Sequence, residues 1–183
     1  MAVCFIGTSC ADIDEPIVKE TMDPTTTRVS AEVTWADCGW SNMVFYSAQT
    51  QRELDADVDA YHEYPNRDSY QLHLHHELTS DEGYTVNICI TIEQDRPIAR
   101  DHYDLSDKHR FVQLSIIYQG REYLAECGYI DISKRIIIES NKPSVRLYGT
   151  FGFEAYIKTD IGYETISVDN GILDQYIIEN VIM

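Results

Sequence analysis

Apolar and polar residues alternate most clearly in residues 111–141, which read FVQLSIIYQGREYLAECGYIDISKRIIIESN. A β-strand places every second side chain on the same face, and residues 111–118 and 123–129 both follow this period of two. Gln119-Gly120 supplies a tight turn between them, because glycine adopts a positive φ easily. A second reversal is predicted at residues 131–134, before a run of isoleucines. The pattern therefore predicts three consecutive antiparallel strands.

The same period recurs elsewhere along the chain, with turn residues between the runs. A hairpin is predicted from residues 153–158 to residues 163–168, with its turn at residues 160–162. The other predicted strands are residues 28–35, 40–46, 70–78 and 84–93. Many short strands separated by turns are typical of an all-β antiparallel β-sandwich, and we predict that architecture.

One segment has a helical period instead. Leu54, Val58 and Tyr61 follow one another at spacings of four and three, and Pro65 would end a helix soon afterwards. We therefore predict one short helix over residues 50–62.

Three regions of the chain differ in composition. Residues 1–28 combine a short apolar start with proline and threonine, and are predicted to form an N-terminal arm. Residues 29–146 hold most of the predicted strands and form the predicted β-sandwich core. Residues 147–183 are predicted to form a C-terminal hairpin and an apolar tail, either in the same domain or in a contact between subunits. The tail, residues 172–183, fits helical and strand spacing equally.

The charge of the chain narrows its partners. The 183 residues include 31 acidic and 14 basic side chains, which give a formal net charge of −17 and a pI of about 4.5. Such a surface repels nucleic acid and favours cations or a basic partner. The first residues lack the features of a secretory signal, and no segment has the length and apolarity of a membrane span. A cytoplasmic location is expected, although a mature extracellular chain would look similar.

Four short motifs follow one another along the chain: Phe45-Tyr46, Leu72-His73-Leu74, residues 122–129 (EYLAECGY) and Glu139-Ser140-Asn141. In this order they resemble the pattern of the prokaryotic domain of unknown function 4912, over roughly residues 29–145. The resemblance implies an immunoglobulin-like β-sandwich. It implies no enzymatic activity, because none is established for that family.

Two positions depart from that family's pattern. Ser47 stands where members tend to carry a tryptophan, and His75-His76 replaces the acidic end of a strand. Both termini lie outside the resemblance, which therefore bears on the fold rather than on function.

The most distinctive polar group is His73, His75 and Glu77. In a strand these side chains point to one face at spacings of about 7 Å, and two imidazoles with a carboxylate can bind zinc, iron or manganese. The alternative is that they form the polar outer side of a half-buried strand. Its inner face would then carry Leu72, Leu74, His76 and Leu78. No other cofactor is predicted.

No nucleophile elbow, phosphate-binding loop or recognised catalytic cysteine occurs in the sequence, so no catalytic residue is predicted. The leading hypothesis is a non-catalytic interaction module that binds protein, including copies of itself, and forms an oligomer or filament through its terminal segments. One alternative is a metal-binding protein or metal-dependent enzyme that uses His73, His75 and Glu77. Another is a carbohydrate-binding module that uses some of the 13 tyrosines.

Overall fold

The computed structural model describes residues 27–49, 61–66, 69–96, 98–138, 144–160 and 162–180, and these residues form strands joined by turns. The strands are β1 (Thr27–Trp35), β2 (Trp40–Gln49), β3 (Tyr61–Asn66), β4 (Ser69–Ser80), β5 (Thr85–Gln94), β6 (Asp101–Asp104), β7 (Phe111–Tyr118), β8 (Arg121–Ile138), β9 (Ser144–Thr159) and β10 (Gly162–Asn180).

The sheet closes on itself. Its hydrogen-bonded order runs β1, β2, β4, β5, β7, β8, β9, β10, and β10 then pairs with β1 from Arg28↔Asp174 to Trp35↔Ile166. The result is an eight-stranded antiparallel barrel. β3 lies between β4 and the end of β10, to which it is parallel, and β6 pairs with β8.

The predicted immunoglobulin-like β-sandwich is therefore wrong, although the all-β class is right. A sandwich consists of two separate sheets that face each other. Here β1 hydrogen-bonds to both β2 and β10, and β4 to both β2 and β5, so the strands form a single ring.

Alternate side chains of the strands fill the barrel. In β5 the side chains of Val86, Ile88, Ile90 and Ile92 are all 0% exposed, while the residues between them are only partly buried. An eight-stranded barrel is just wide enough for such side chains to fill it. At one end, which we call the aromatic end, Trp35 and Trp40 pack edge to face with ring centroids 5.7 Å apart, and Tyr118 contacts both rings.

The long strands bend without breaking. The reversal predicted at residues 131–134 is wrong, because β8 continues through them with a register shift between Ile132 and Lys134. Opposite this bulge lies Gly149 of β9, where an added Cβ would overlap the carbonyl oxygen of Asp131. A bulge bends and twists a strand while its ladder resumes on either side. Residues 131–134 therefore curve the barrel wall instead of ending a strand.

No helix occurs in the part of the chain that the structure describes, and none of its segments is a long apolar helix of the kind that crosses a membrane. Residues 50–60 of the predicted helix lie outside the described residues, and Tyr61 and His62 begin β3. The predicted N-terminal arm lies outside them up to residue 26. Residues 172–180 of the C-terminal tail belong to β10 and pair with strands of the same chain.

Replacement of Gly149 by alanine tests the close approach of β8 and β9. The added methyl group meets the backbone of Asp131, which cannot rotate away as a side chain could. We expect the free energy of unfolding to fall by about 2–3 kcal/mol, measured by urea denaturation.

Thr150→Ala is the matched control for Gly149→Ala. Thr150 is exposed on the neighbouring position of β9, so its truncation should cost less than about 1 kcal/mol. Equal stability of the two variants would contradict the assignment of Gly149 to a backbone contact.

Candidate functional site

The three residues of the predicted metal set lie on the outer face of β4. His73 is half-buried, and His75 and Glu77 are exposed, whereas the alternate residues of β4 point into the barrel. Across the described ranges, no group of three His, Cys, Asp or Glu side chains is arranged to hold a metal ion. A metal site at these residues stays a prediction.

The imidazoles of this set contact polar side chains of the sheet. His73 Nδ1 lies 3.2 Å from Thr91 Oγ1 on β5, and its Nε2 lies 3.4 Å from Gln71 Oε1. His75 Nε2 lies 3.0 Å from Asn87 Oδ1. These contacts match the alternative interpretation, a polar outer side of a half-buried strand, because the ring nitrogens are used within the sheet.

A different histidine occupies the interior. His76 is 1% exposed, and neither of its ring nitrogens has a hydrogen-bond partner. Burial, and secondarily the neighbouring His75, lowers the pKa of His76 to about 4. A buried donor without an acceptor destabilises the fold by about 1–3 kcal/mol. The imidazole is therefore neutral at pH 7 and costs stability where it stands.

His76 also lies beside the weakest seam of the barrel wall. β2 and β4 are joined through only two residue pairs, Phe45↔Ser80 and Tyr46↔Thr79. Between that contact and the pairing of β4 with β3, residues 74–78 of β4 have a ladder partner only on the β5 side among the residues described.

Two strands extend beyond the barrel at the aromatic end. The ladder between β8 and β9 ends at Ala125↔Ala155, and the ladder between β1 and β10 ends at Trp35↔Ile166. Residues 156–159 and 162–165 consequently pair only with each other within the described sheet, as a two-stranded segment that we call the ribbon.

The ribbon carries exposed aromatic side chains. Tyr163 is 75% exposed and Tyr156 is 39% exposed. The Tyr156 hydroxyl donates a hydrogen bond of 2.7 Å to Glu154, and that carboxylate raises the pKa of Tyr156 to about 12. The backbone N–H of Asp37 donates to Glu164 at 3.0 Å and ties the base of the ribbon to the turn between β1 and β2.

At the opposite end of the barrel lies a polar cleft of about 570 Å³. It is formed where the chain leaves β5 and where it enters β7. Its lining consists of Asp95, Arg96, Asp107, His109 and Arg110. This lining consists of ionisable side chains: two carboxylates, two guanidinium groups and an imidazole.

Arg110 forms the fixed part of the cleft, and its side chain is 14% exposed. Its Nη2 donates to Asp101 Oδ2 at 2.7 Å and its Nη1 donates to the His102 carbonyl at 3.1 Å, while Nε lies 3.5 Å from Asp107 Oδ2. The guanidinium also lies over the ring of Tyr103, 5.0 Å from its centroid. Arg110 therefore has partners on all three nitrogens.

Among the described residues, the Arg96 side chain has one partner, Asp101. Its side chain is 58% exposed, and its Nη2 lies 3.0 Å from Asp101 Oδ2, the same oxygen that Arg110 contacts. Partial burial disfavours ionisation of Asp101. Nevertheless, hydrogen bonds from the His102 N–H and from Arg110, together with the charges of Arg110 and Arg96, hold the pKa of Asp101 below its ordinary value. An ionised carboxylate thus brings two guanidinium groups together.

Next to the cleft, β6 presents a histidine to β8. His102 Nδ1 lies 2.6 Å from Asp131 Oδ1, and its ring stacks on Tyr129 with centroids 5.8 Å apart. Both side chains of this contact are about half exposed, so it contributes little stability. The ladder between β6 and β8, from Asp101↔Ile132 to Asp104↔Tyr129, holds Asp101 in place.

Comparison of the chain with protein-family models, with curated proteins and with solved structures gives no match. The resemblance to the domain of unknown function 4912 stays a prediction, and the immunoglobulin-like fold that it implied is wrong.

The buried imidazole predicts an acid-sensitive fold. The pKa of His76 is about 4 in the folded chain and about 6.5 in an unfolded one, so the unfolded state binds the proton more tightly. The free energy of unfolding should fall as the pH is lowered below 6.5, and the contribution of His76 should reach about 3 kcal/mol at pH 4. Urea denaturation over this pH range measures it.

His76→Leu removes this contribution, and His75→Gln on the outer face is its control. The carboxylates of the chain titrate in every variant, so the comparison is between the slopes of stability against pH. We expect a clearly smaller slope for His76→Leu and only a slight change for His75→Gln, because His75 is the secondary cause of the lowered pKa of His76 and burial is the main one. The same slope in all three proteins would show that His76 is protonated as easily in the folded chain as in the unfolded one.

Proposed function

We propose that this chain is a non-catalytic β-barrel interaction module that associates with copies of itself through the ribbon of β9 and β10. The observation that carries the proposal is that residues 156–159 and 162–165 have no further strand partner in the described sheet and extend beyond the barrel wall. Unpaired strand edges bind other strands readily.

The sequence of the β9 edge suits a second copy. An antiparallel pairing centred on Ile157 would place Tyr156 of each copy opposite Lys158 of the other. Aromatic rings and aliphatic lysine stems make favourable cross-strand pairs, and a two-fold contact forms each pair twice. Asp160 lies in the turn beyond the ribbon, whereas Glu164 on β10 pairs with Ile157, and its carboxylate accepts from the N–H of Asp37.

Exposed apolar surface near the ribbon supports the same contact. Tyr156 and Tyr163 lie on the ribbon itself, and Leu124 of β8, which is 53% exposed, lies next to the last β8–β9 pair. Burial of such side chains stabilises a contact between chains.

The sequence suggested self-association through the terminal segments, but these segments have a smaller part in this proposal. The N-terminal arm lies outside the described residues, except for its last two. Residues 172–180 are used within the chain, where they pair with β9, β1 and β3. The carbohydrate-binding alternative stays a prediction without a surface that favours it.

The net charge distinguishes a second copy from a basic partner. Two chains of charge −17 repel each other at long range, and salt screens that repulsion. Self-association through the ribbon should therefore strengthen as ionic strength rises, whereas binding to a basic protein should weaken.

Lys158→Glu tests the proposed contact. The substitution places a carboxylate opposite Tyr156 twice in each dimer and adds negative charge at the centre of the interface. We expect the dissociation constant of the dimer to rise about tenfold or more, measured by sedimentation equilibrium from about 0.05 M to about 0.5 M NaCl.

Lys108→Glu is the matched control, because it changes the net charge equally in an exposed turn at the other end of the barrel. It should leave the dimer intact apart from the general effect of charge. A wild-type chain that stays monomeric at every concentration and salt level, or an equal loss in both variants, would disprove self-association through the ribbon.

A further inference from the structure

We infer that the cleft between the end of β5 and the start of β7 is a binding site for a small phosphorylated polyol, with Arg96 as the residue that contacts the phosphate. This inference is independent of self-association, because the cleft lies at the end of the barrel opposite the ribbon.

Two guanidinium groups lie close together at the cleft. Arg96 Nη2 and Arg110 Nη2 lie 3.0 Å and 2.7 Å from one oxygen of Asp101. Hydrogen bonds to a common acceptor place the two donor nitrogens within about 6 Å of each other. A tetrahedral phosphate has oxygens on several sides and accepts hydrogen bonds from two such guanidinium groups at once.

The side of the cleft formed by Arg110 is rigid. The aromatic ring under Arg110 belongs to Tyr103, which is 1% exposed. Its hydroxyl donates to the carbonyl of Ala99 at 2.9 Å and accepts from the N–H of Ala99 at 3.2 Å. The floor of the cleft is thus fixed before any ligand arrives, and pre-organised groups lose little entropy on binding.

The two arginines differ in how many of their hydrogen-bond donors are already used within the protein. Arg110 uses all three of its nitrogens within the protein, whereas among the described residues the Arg96 side chain contacts Asp101 through Nη2 and is 58% exposed. Arg96 therefore retains donors that face solvent. Arg110 supplies a fixed positive charge, and Arg96 supplies most of the new hydrogen bonds.

The remaining lining and the size of the cleft define the rest of the ligand. Asp95 and Asp107 present carboxylates, which accept hydrogen bonds from hydroxyl groups. The volume of about 570 Å³ exceeds that of a phosphate ion and falls in the range of small-molecule sites. Hydroxyl groups beside a phosphate match this lining better than an apolar molecule would.

The overall charge of −17 does not prevent anion binding at this place. Charges farther apart than about 8 Å are largely screened at physiological salt, so the local field is set by Arg96 and Arg110 together with Asp95, Asp101 and Asp107. The aspartates of the cleft make the site selective, because they oppose anions that bring no hydroxyl groups.

Titration with glycerol phosphate, followed by ¹H–¹⁵N NMR at about 0.15 M ionic strength, tests the inference. We expect saturable shifts of the backbone amides of residues 95, 96 and 107–110. Inorganic phosphate should bind more weakly at the same place, and glycerol should not bind. Arg96→Gln should weaken glycerol phosphate binding about tenfold or more, as expected for the loss of a charge-assisted hydrogen bond.

Arg121→Gln is the matched control, since Arg121 is exposed at the aromatic end of the barrel. This variant should bind as the wild type does. Because Arg96 is largely exposed, its variant should keep the amide shifts of the barrel strands, which separates loss of binding from loss of fold. Absence of saturable binding to the wild type, or equal binding by the Arg96 and Arg121 variants, would overturn the inference.

Discussion

The barrel depends on places where neighbouring backbones come closer than a β-carbon allows. At Gly128 and Gly149, which join β8 to β9, and at Gly171, which joins β9 to β10, an added Cβ would overlap atoms of the facing strand. Gly128 also has a φ of 154°, a conformation that other residues rarely adopt. Each of these contacts lies near a register shift, so the three longest strands bend where glycine allows close approach. Without this bending, β10 could not curve round to pair with β1, and the sheet would keep two open edges.

Local pattern predicted the strands but could not predict closure. The alternation in residues 84–93 and 111–118 predicted strands that the structure has, and the alternation in residues 70–78 predicted the inward position of His76. A sandwich and a barrel use the same alternation, because in both a strand has one buried and one exposed face. The two architectures differ in the pairing of β1 with β10, which joins residues more than 130 positions apart in the chain. The glycines and the bulge at residues 131–134 look like turns in the sequence, since the same residues favour turns and strand bends.

The candidate sites, like the fold, could be predicted from the sequence only in part. That His73, His75 and Glu77 share an outer face follows from the period of a strand, whereas their contacts with Gln71, Asn87 and Thr91 depend on the register between β4 and β5. The cleft could not be found from the pattern, because its residues belong to a polar connection without a period. A signal was present in the alternating charges of residues 95–110, with Arg96 and Arg110 on either side of Asp101. Only the folded chain shows that both arginines reach one carboxylate oxygen.

A filled interior places function on the outside of this barrel. The buried positions of the described strands carry aliphatic and aromatic side chains with few polar groups, and the charged side chain among them, Arg146, is paired with Asp174 at 2.7 Å. The two ends of the barrel therefore remain as candidate functional surfaces, and β5 runs from one end to the other. It begins beside Tyr84, which packs on Trp40 at the aromatic end, and it ends at Gln94, next to the cleft. The proposed association through the ribbon would leave the cleft accessible, because the two lie at opposite ends of the barrel, and each chain of an assembly would present its own cleft to solvent. The described wall between these ends is held least firmly beside His76, where two residue pairs join β2 to β4, and along residues 111–114 of β7, which have no ladder partner on the β8 side.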